Sequence, residues 1–234
     1  MTIRIAGLNV GISNSFKHIE WLVRDYLTDG SPDFTVSATR EEIEEERLHS
    51  EPGFSDGYLE STVIYRKIAE RLPEYDAFVF HGAVISVDGR AYAFTARSGV
   101  GKTTHTRLFI NALDGRADYI NGDKPIIRFK DGVPYACGTP WMGKEGYGRN
   151  VDMPLLGIAL LGRGEENFAE AVAPDEAAST LLSQMYVPKT GGGASRLLLL
   201  LGRLISSVRI IRVRCNMNPD APIVSARAFG IEGI

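Results

Sequence analysis

The chain has 234 residues, of which 44% are hydrophobic and 24% are charged, and its net charge is −3. These values are typical of a soluble globular chain with one or two domains. The slight acidic balance excludes a protein built wholly around nucleic-acid phosphates. Cys137 and Cys215 lie far apart, so we expect reduced thiols in a cytoplasmic protein rather than a disulfide framework. No apolar run is long enough to span a bilayer, and we expect no signal peptide.

The first 75 residues predict a small α/β extension. Its acidic stretch, residues 40–51, is consistent with a solvated helix or strand end and also with a docking surface for a basic partner. Pro73 comes where the last helix of the extension should stop. No flexible linker follows, so we expect one domain over 1–234, with an extension over 1–75 and a core over 76–234. The predicted elements of the extension are a strand over 2–12, a helix over 15–27, a strand over 33–38 and a helix over 57–72.

The core begins with a β-rich run over 77–87, which is followed by Asp88 and Gly89 and then by a second β-rich run over 90–96. An Asp-Gly pair between two such runs is a strong signal for a two-residue β-hairpin. The second strand of the hairpin therefore has an antiparallel neighbour and leads directly into the segment that follows.

That segment, 96–103, reads Ala-Arg-Ser-Gly-Val-Gly-Lys-Thr and nearly matches the phosphate-binding pattern G-x-x-x-x-G-K-[ST]. Alanine replaces the first glycine, which is harmless if Ala96 keeps a negative φ. The glycines let the backbone aim several N–H groups at one anion, and the helix predicted over 103–112 adds its positive end. Lys102 supplies a cation for the β- and γ-phosphates of ATP, and the Thr103 hydroxyl supplies a ligand for Mg²⁺. The alternative is a glycine-rich turn that caps an ordinary helix. The predicted nucleotide-binding residues are Ser98, Gly99, Val100, Gly101, Lys102, Thr103 and Thr104.

A second Mg²⁺ ligand is expected at the end of a neighbouring strand. Tyr119 and Ile120 read as the end of a strand, and Asp123 comes just beyond it, 21 residues after Lys102. That spacing accommodates one helix and a loop, so we assign Asp123 as a metal ligand together with Thr103. The alternative interpretation is an aspartate with a purely structural role in a turn.

The run 81–84 (His-Gly-Ala-Val), the Asp-Gly turn and the Ser-Gly-Val-Gly-Lys-Thr core together resemble the catalytic domain of HPr kinase/phosphorylase. That family is related in fold to the ATP-dependent phosphoenolpyruvate carboxykinases. The resemblance covers residues 76–130 and implies an α/β fold of P-loop kinase type, with a mixed sheet, flanking helices and a β-hairpin that leads into the loop. It also implies that His81 lies near the phosphates, against the alternative of a hydrogen-bonded core histidine.

The sequence departs from that family at the second acid. Where the family has two adjacent acids, one for the metal and one as the base, this chain has Asp123 beside Lys124. Asp123 would then serve both roles, or His81 would accept the proton. The family's C-terminal phosphorylase signature is not recognisable, so phosphorylase activity is not expected.

Two further regions carry basic residues that suit phosphoryl transfer. A glycine-rich loop over 137–150 contains Lys144 and Arg149, which we predict to contact substrate or transition state as part of a closing lid; the alternative is a structured surface loop. The stretch 177–219 holds six basic and no acidic residues, which indicates either a solvated face or a surface for an acidic acceptor. His105, in the first turn of the loop helix, is expected on the helix surface.

We therefore expect a kinase that uses ATP and Mg²⁺ and transfers the γ-phosphoryl group to a hydroxyl of a protein, a peptide or a small metabolite. The alternatives are a non-catalytic ATP-binding sensor, which the single acid favours, and an enzyme similar to phosphoenolpyruvate carboxykinase. Neither a nucleic acid nor a membrane is expected as a partner, and the sequence leaves a homo-oligomer open. The expected catalytic residues are Asp123, His81, Lys102, Lys144 and Arg149.

Overall fold

The computed structural model describes residues 1–97, 99–216 and 218–233, so Ser98 of the predicted phosphate loop lies outside the described residues. The described chain forms a mixed α/β structure with two β-sheets and seven α-helices. Within these ranges, none of the helices combines the length and the apolar character that crossing a membrane requires.

The N-terminal region contains β1 (Thr2–Ile5), β2 (Leu8–Ser13), α1 (His18–Leu22), β3 (Phe34–Ser37), α2 (Arg40–His49) and α3 (Asp56–Arg71). Its three strands form a separate sheet in the order β1-β2-β3. The prediction of a single strand over 2–12 is wrong, because the chain reverses at Ala6 and Gly7, which have φ angles of +50° and +72°. The helix predicted over 15–27 is also shorter than expected, since α1 gives way to a 3₁₀ turn at Arg24–Tyr26. The strand over 33–38 and the helix over 57–72 are confirmed.

The acidic stretch forms α2, which begins with a capping box between Thr39 and Glu42. Its glutamates pair with basic side chains of α3. Glu42 lies 2.7 Å from the ammonium group of Lys67, and the buried Glu46 pairs with Arg66. Because several of these charges are paired within the chain, the structure favours the solvated helix over a docking surface.

The core contains β4 (Ala77–Val79), β5 (Ala83–Val87), β6 (Arg90–Thr95), α4 (Lys102–Ala112), β7 (Ala117–Asn121), β8 (Ile126–Lys130), β9 (Val133–Cys137), β10 (Asp152–Arg163), β11 (Phe168–Ala171), α5 (Pro174–Leu182), α6 (Gly193–Ser207), β12 (Arg209–Cys215) and α7 (Ala221–Phe229). Its strands join in one mixed sheet. The main path runs β4-β8-β9-β10-β6-β5-β7, while β12 pairs with β10 and β11 pairs with β12.

The predicted hairpin is confirmed. β5 and β6 are antiparallel neighbours joined by Asp88 and Gly89, which have φ angles of +48° and +77°. Two consecutive positive φ angles are what a tight two-residue hairpin turn requires, and they explain the Asp-Gly pair. The β-rich run over 77–87 is not continuous, because it divides into β4 and β5 on either side of His81 and Gly82.

Four strands of this sheet run in one direction and end at the same edge. β10 is parallel to both β6 and β12. β7 shares their direction because β6 and β7 are both antiparallel to β5. The loop after β6, the turn after β7 and the ends of β10 and β12 therefore meet at one edge, which we call the carboxyl edge. Open α/β sheets bind their ligands at such an edge.

Helices cover both faces of the sheet. On one face, α4 and α7 contribute Phe109 and Ala226 to a core cluster that includes Phe94 of β6. On the other face, α5 and α6 contribute Leu181 and Leu197 to a second cluster. Burial of these side chains holds α4 against the sheet. The N-terminus of α4 directly follows the loop after β6.

The N-terminal region contacts the core close to the carboxyl edge. The ring of Tyr65 in α3 stacks on Trp141, with centroids 4.1 Å apart, and its hydroxyl donates to the carbonyl of Lys124 at 2.7 Å. The indole Nε1 of Trp141 donates to the carbonyl of Ser61 at 3.1 Å. α3 therefore supports both the turn after β7 and the glycine-rich loop.

Candidate active site

The loop between β6 and α4 is an open turn. Gly99 and Gly101 have φ angles of +77° and +114°, which only glycine adopts at no steric cost. A Cβ built at either glycine would meet no described atom within 4 Å, so no described atom crowds the loop at these two positions. Ala96, at the position of the first glycine, is not among the residues with positive φ, so the alanine introduces no strain.

α4 begins at Lys102, one residue before the predicted start, and Gly101 is its N-cap. Among the described residues, no side chain caps this helix, and its first turn contains no acidic residue. The first-turn amides of Lys102, Thr103 and Thr104 therefore have no side-chain acceptor within the part of the chain that the structure describes. Such a helix end attracts an anion through its N–H groups and its dipole.

Lys102 folds back across the loop. Its Nζ donates to the carbonyl of Ala96 at 3.2 Å. Burial lowers the pKa of the Lys102 ammonium group, while the negative charge of Asp123 acts in the opposite direction. The negative charge of Asp123 thus favours the charged form of the predicted phosphate-binding lysine.

The turn after β7 is held by Asn121. The side-chain Oδ1 of this buried residue accepts hydrogen bonds from the backbone N–H groups of Asp123 and Lys124, at 2.9 and 2.8 Å. Its Nδ2 donates to the side-chain oxygen of Thr139 at 3.0 Å. Asn121 therefore fixes the direction in which Asp123 leaves the strand, and sequence reasoning did not identify this role. The available signal was an asparagine two residues before the aspartate, which is typical of such a turn.

Asp123 lies between two basic side chains. Its Oδ2 is 2.5 Å from Nζ of Lys124, and its Oδ1 is 3.4 Å from Nε2 of His81. Burial raises the pKa of the Asp123 carboxyl, but the hydrogen bond from His81 and the positive charge of Lys124 outweigh burial and hold this pKa below its usual range. Asp123 is therefore a stable anion at the carboxyl edge.

His81 lies between β4 and β5, at the same edge. Its backbone N–H donates to the carbonyl of Gln184 at 2.7 Å, and its carbonyl accepts from the hydroxyl of Thr95 at 2.8 Å. These bonds fix the backbone, while 43% of the side chain is exposed. The interpretation of His81 as a core histidine is therefore wrong, and its imidazole is free to meet a ligand beside Asp123.

The glycine-rich loop passes directly over the turn after β7. The N–H of Gly122 donates to the carbonyl of Tyr147 at 2.8 Å. A Cβ built on Gly143, which has a φ of +78°, would lie 2.9 Å from Cβ of Asp123. The loop thus approaches Asp123 as closely as a glycine permits.

Of the two basic residues predicted in this loop, Lys144 directly follows Gly143, the glycine that approaches Asp123. Lys144 is exposed. The guanidinium of Arg149 instead lies 3.1 Å from Asp118 and donates through Nε to the carbonyl of Tyr119 at 3.1 Å. These partners lie at the second and the middle residue of β7, so the Arg149 guanidinium is engaged there rather than with Asp123.

The expectation that His105 lies on the surface of α4 is wrong. Its side chain is 3% exposed, and its Nε2 lies 3.0 Å from the hydroxyl of Ser225. Phe94 and Phe109 pack around the imidazole. Burial lowers the pKa of His105 to about 4. The residue belongs to the support of α4 rather than to the site.

The donor types at the edge, a carboxylate and a hydroxyl, are ones that Mg²⁺ binds. No group of three or more His, Cys, Asp or Glu side chains in the described ranges is arranged to hold a metal by itself. Mg²⁺ at phosphoryl-transfer sites usually takes one or two protein oxygens, because phosphates and waters complete its shell. The Asp123 carboxylate and the Thr103 hydroxyl match that donor set, and Thr104 follows in the same turn.

Arg163 is a further residue that sequence reasoning missed. It ends β10, and its guanidinium donates to the carbonyl of Gly99 at 2.7 Å. The bond joins the carboxyl end of β10 to the phosphate loop. Only the pairing of β10 with β6 reveals this proximity, because the two strands are far apart in the chain.

No protein-family model and no curated protein sequence matches the chain. Among solved structures, the chain is similar to the HPr(Ser) kinase/phosphatase from Coxiella burnetii, with a TM-score of 0.31 and 11% sequence identity. The alignment covers 54% of this chain and 88% of that one.

Proposed function

We propose that the chain is an ATP-dependent phosphotransferase that moves the γ-phosphoryl group to a hydroxyl. The observation that carries this proposal is the convergence at the carboxyl edge. Nζ of Lys102 donates to the carbonyl of Ala96, and the hydroxyl of the neighbouring Thr95 donates to the backbone of His81. The imidazole of His81 in turn lies 3.4 Å from the carboxylate of Asp123. Phosphoryl transfer needs mainly such positioning and charge stabilisation.

We assign different roles in triphosphate binding to the loop amides, to Lys102 and to Lys144. The N–H groups of Gly99, Val100, Gly101, Lys102, Thr103 and Thr104 would cradle the phosphates, together with Ser98. Lys102 would exchange its bond to the Ala96 carbonyl for the β- and γ-phosphates. Lys144, on the loop above Asp123, would offset charge on the transferred group.

Thr103 and Asp123 would hold Mg²⁺ with the phosphates. When bound, the ion neutralises charge that develops on the phosphate oxygens. The two basic partners of Asp123 are compatible with this role, because the side chains of Lys124 and His81 are both partly exposed and free to turn away.

His81 is the better candidate for the base. The Asp123 carboxylate, whose pKa is held low by its neighbours, is a weak proton acceptor. The His81 imidazole is partly exposed, and it has a second ring nitrogen besides the Nε2 that faces Asp123. The acceptor oxygen would attack the γ-phosphorus, the bond to ADP would break, and the hydroxyl proton would pass to His81.

A second candidate function is a non-catalytic ATP-binding sensor. The observation that favours it is the ion pair between Asp123 and Lys124, because a lysine stands where a second acid would complete a kinase site. In that case nucleotide would bind without transfer.

The test combines equilibrium binding of a fluorescent ATP analogue with transfer of γ-labelled phosphate to hydroxyl acceptors, using the full chain. We expect binding that requires Mg²⁺, transfer to at least one acceptor, and a loss of both in Lys102→Met by at least about 100-fold. The exposed Lys17→Met serves as the matched control and keeps both activities. Binding without transfer or hydrolysis supports the sensor, and absence of binding refutes both functions.

A further inference from the structure

A cleft of about 680 Å³ opens beside the phosphate loop, on the side away from β7. One wall is the carboxyl end of β10 and β12, and another is the start of the loop at Ala96 and Arg97. The third wall is α5 and the residue pair that follows it, Ser183 and Gln184. The cleft is large enough for a small metabolite, and it shares the loop with the proposed ATP site.

Arginine side chains dominate the charge of this cleft. Arg212 is neutralised, because it pairs with Glu170 at 3.1 Å and also with Glu176. Within the described part of the chain, no carboxylate lies within 4.0 Å of the basic nitrogens of three other lining residues. These residues are Arg97, Arg163 and Arg214.

The proposed ATP site assigns no role to Arg97 or Arg214, whereas the Arg163 guanidinium already donates to the carbonyl of Gly99 in the phosphate loop. In the proposed ATP site, the loop amides and Lys102 bind the triphosphate. The nucleoside part of ATP carries no charge that an arginine would balance. Unpaired guanidinium groups in a concave site match carboxylates and phosphates, which they bind through paired hydrogen bonds. The cleft is therefore suited to a second anion.

Two lining residues of the cleft, Thr95 and Gln184, are hydrogen-bonded to the backbone of His81. The carbonyl of Gln184 accepts from the backbone N–H of His81 at 2.7 Å. Its side-chain Oε1 lies 3.2 Å from the hydroxyl of Thr95, the last residue of β6. A molecule held by the arginines would thus extend along the loop toward His81.

We propose that this cleft binds the phosphoryl acceptor, and that the acceptor is a small hydroxyl compound that carries a carboxylate or phosphate group. This inference rests on the proposed function. The anionic group lies against Arg97 and Arg214, and the hydroxyl points toward His81 and the γ-phosphate. In the transfer, the acceptor oxygen bonds to the γ-phosphorus, the bond to ADP breaks, and the proton goes to His81.

The first experiment titrates inorganic phosphate into the full chain, saturated with Mg²⁺ and a non-hydrolysable ATP analogue, by calorimetry. With the loop filled, we expect one phosphate to bind, and we expect the double variant Arg97→Gln, Arg214→Gln to weaken it at least about 10-fold. Arg209→Gln changes the same strand outside the cleft and should leave it unaltered. Phosphate binding that ignores the double variant, or no binding, overturns the proposal.

The affinity of the same variants for the ATP analogue tests whether the nucleotide, rather than a second anion, occupies the cleft. If the double variant weakens the ATP analogue as much as it weakens phosphate, the cleft belongs to the nucleotide and the proposal is wrong. Phosphate titration of the Lys102→Met chain without nucleotide keeps the two proposals apart. If phosphate binds to the Lys102→Met chain, and if adding Arg97→Gln and Arg214→Gln to that chain weakens the binding, the anion cleft is supported even if the chain fails to bind ATP.

A second experiment separates the two kinds of anion. Glycerol 3-phosphate, glycerate and glycerol present similar hydroxyls with a phosphate, a carboxylate and no charge. We expect one or both of the charged compounds to bind to the nucleotide-loaded chain at least about 10-fold more tightly than glycerol, with loss in the double variant. Equal binding of all three contradicts an anionic acceptor.

Discussion

An aspartate lies near each end of β7, and the two aspartates differ in their neighbours and in their exposure. At the carboxyl end, Asp123 leaves the strand through a turn held by Asn121 and meets His81 and Lys124 beside the phosphate loop. Near the amino end, Asp118 is 57% exposed and pairs with Arg149. One glycine-rich loop touches both ends.

The difference lies in where each aspartate stands relative to the sheet. Asp123 lies at the carboxyl edge beside His81 and Lys124 and is partly buried, whereas Asp118 is mostly exposed and pairs with one arginine. Both aspartates lie beside a basic side chain, but only Asp123 lies at the carboxyl edge, where open α/β sheets bind ligands. We therefore expect Asp123, and not Asp118, to take part in the reaction. This contrast leads to the following four predictions.

Replacing Asp123 with Asn should lower phosphoryl transfer by about 10²–10³-fold, because the site loses its anionic oxygen ligand for the metal. Asp118→Asn on the same strand is the matched control, and its transfer rate should stay within about twofold. Rates of γ-phosphate transfer measured for both variants provide the check. Equal effects at the two ends would refute the difference between them.

The free energy of unfolding should depend on pH through His105, a buried residue of α4 that lies outside the candidate site. The pKa of His105 is about 4 in the folded chain, against 6.5 for an ordinary histidine. Between these values the unfolded chain binds a proton that the folded chain does not, so stability falls as the pH drops below about 6.5. Between pH 7 and pH 5 the loss should be about 2 kcal/mol.

Urea unfolding of the wild type and of His105→Phe at both pH values isolates this contribution from the other titrating groups. The variant should lack the His105 share of the pH dependence. An identical pH dependence in the two chains would show that the buried imidazole is not the cause.

Two glycines of the glycine-rich loop should respond differently to alanine. Gly143 and Gly146 have similar φ angles of +78° and +67°, so each alanine adds about 1 kcal/mol of backbone strain. Only at Gly143 does the new Cβ meet Asp123; at Gly146 no described atom lies within 4 Å. Gly143→Ala should therefore slow transfer by about 10-fold, while Gly146→Ala changes only the melting temperature. Parallel kinetic and thermal measurements test the pair, and equal rates would contradict the close approach.

Arg149→Met should have the smallest effect. The residue is half exposed and is engaged with Asp118 and the carbonyl of Tyr119. We expect a stability loss of no more than about 1 kcal/mol and a transfer rate within about twofold of wild type. Chemical unfolding and steady-state kinetics check this, and a large loss of rate with unchanged stability would return Arg149 to the site.

Local signals in the sequence predicted the features that depend on a few adjacent residues. The Asp-Gly turn, the strand before the loop and the helix after it follow from backbone conformations that those residues favour. The position of Asp123 followed from one strand end and a spacing. Each of these features lies within about one helix and two strands, where local preference and topology agree.

Features that depend on distant strands were not predictable in this way. Arg163 approaches Gly99 only because β10 pairs with β6, and sequence periodicity does not name strand partners. His105 is buried because α7 packs against α4 and offers Ser225 from far along the chain. Arg149 was expected in the site from its charge, but the register of its loop directs it to the other end of β7.

A crystal structure of the full chain with Mg²⁺ and a non-hydrolysable ATP analogue tests the central claim most directly. We expect the β- and γ-phosphates on the N–H groups of 99–103 and on Nζ of Lys102. The Mg²⁺ should lie about 2.1 Å from the Thr103 hydroxyl, with Asp123 bound to it directly or through one water. A triphosphate bound away from this loop, or a metal that contacts neither Thr103 nor Asp123, would contradict the account.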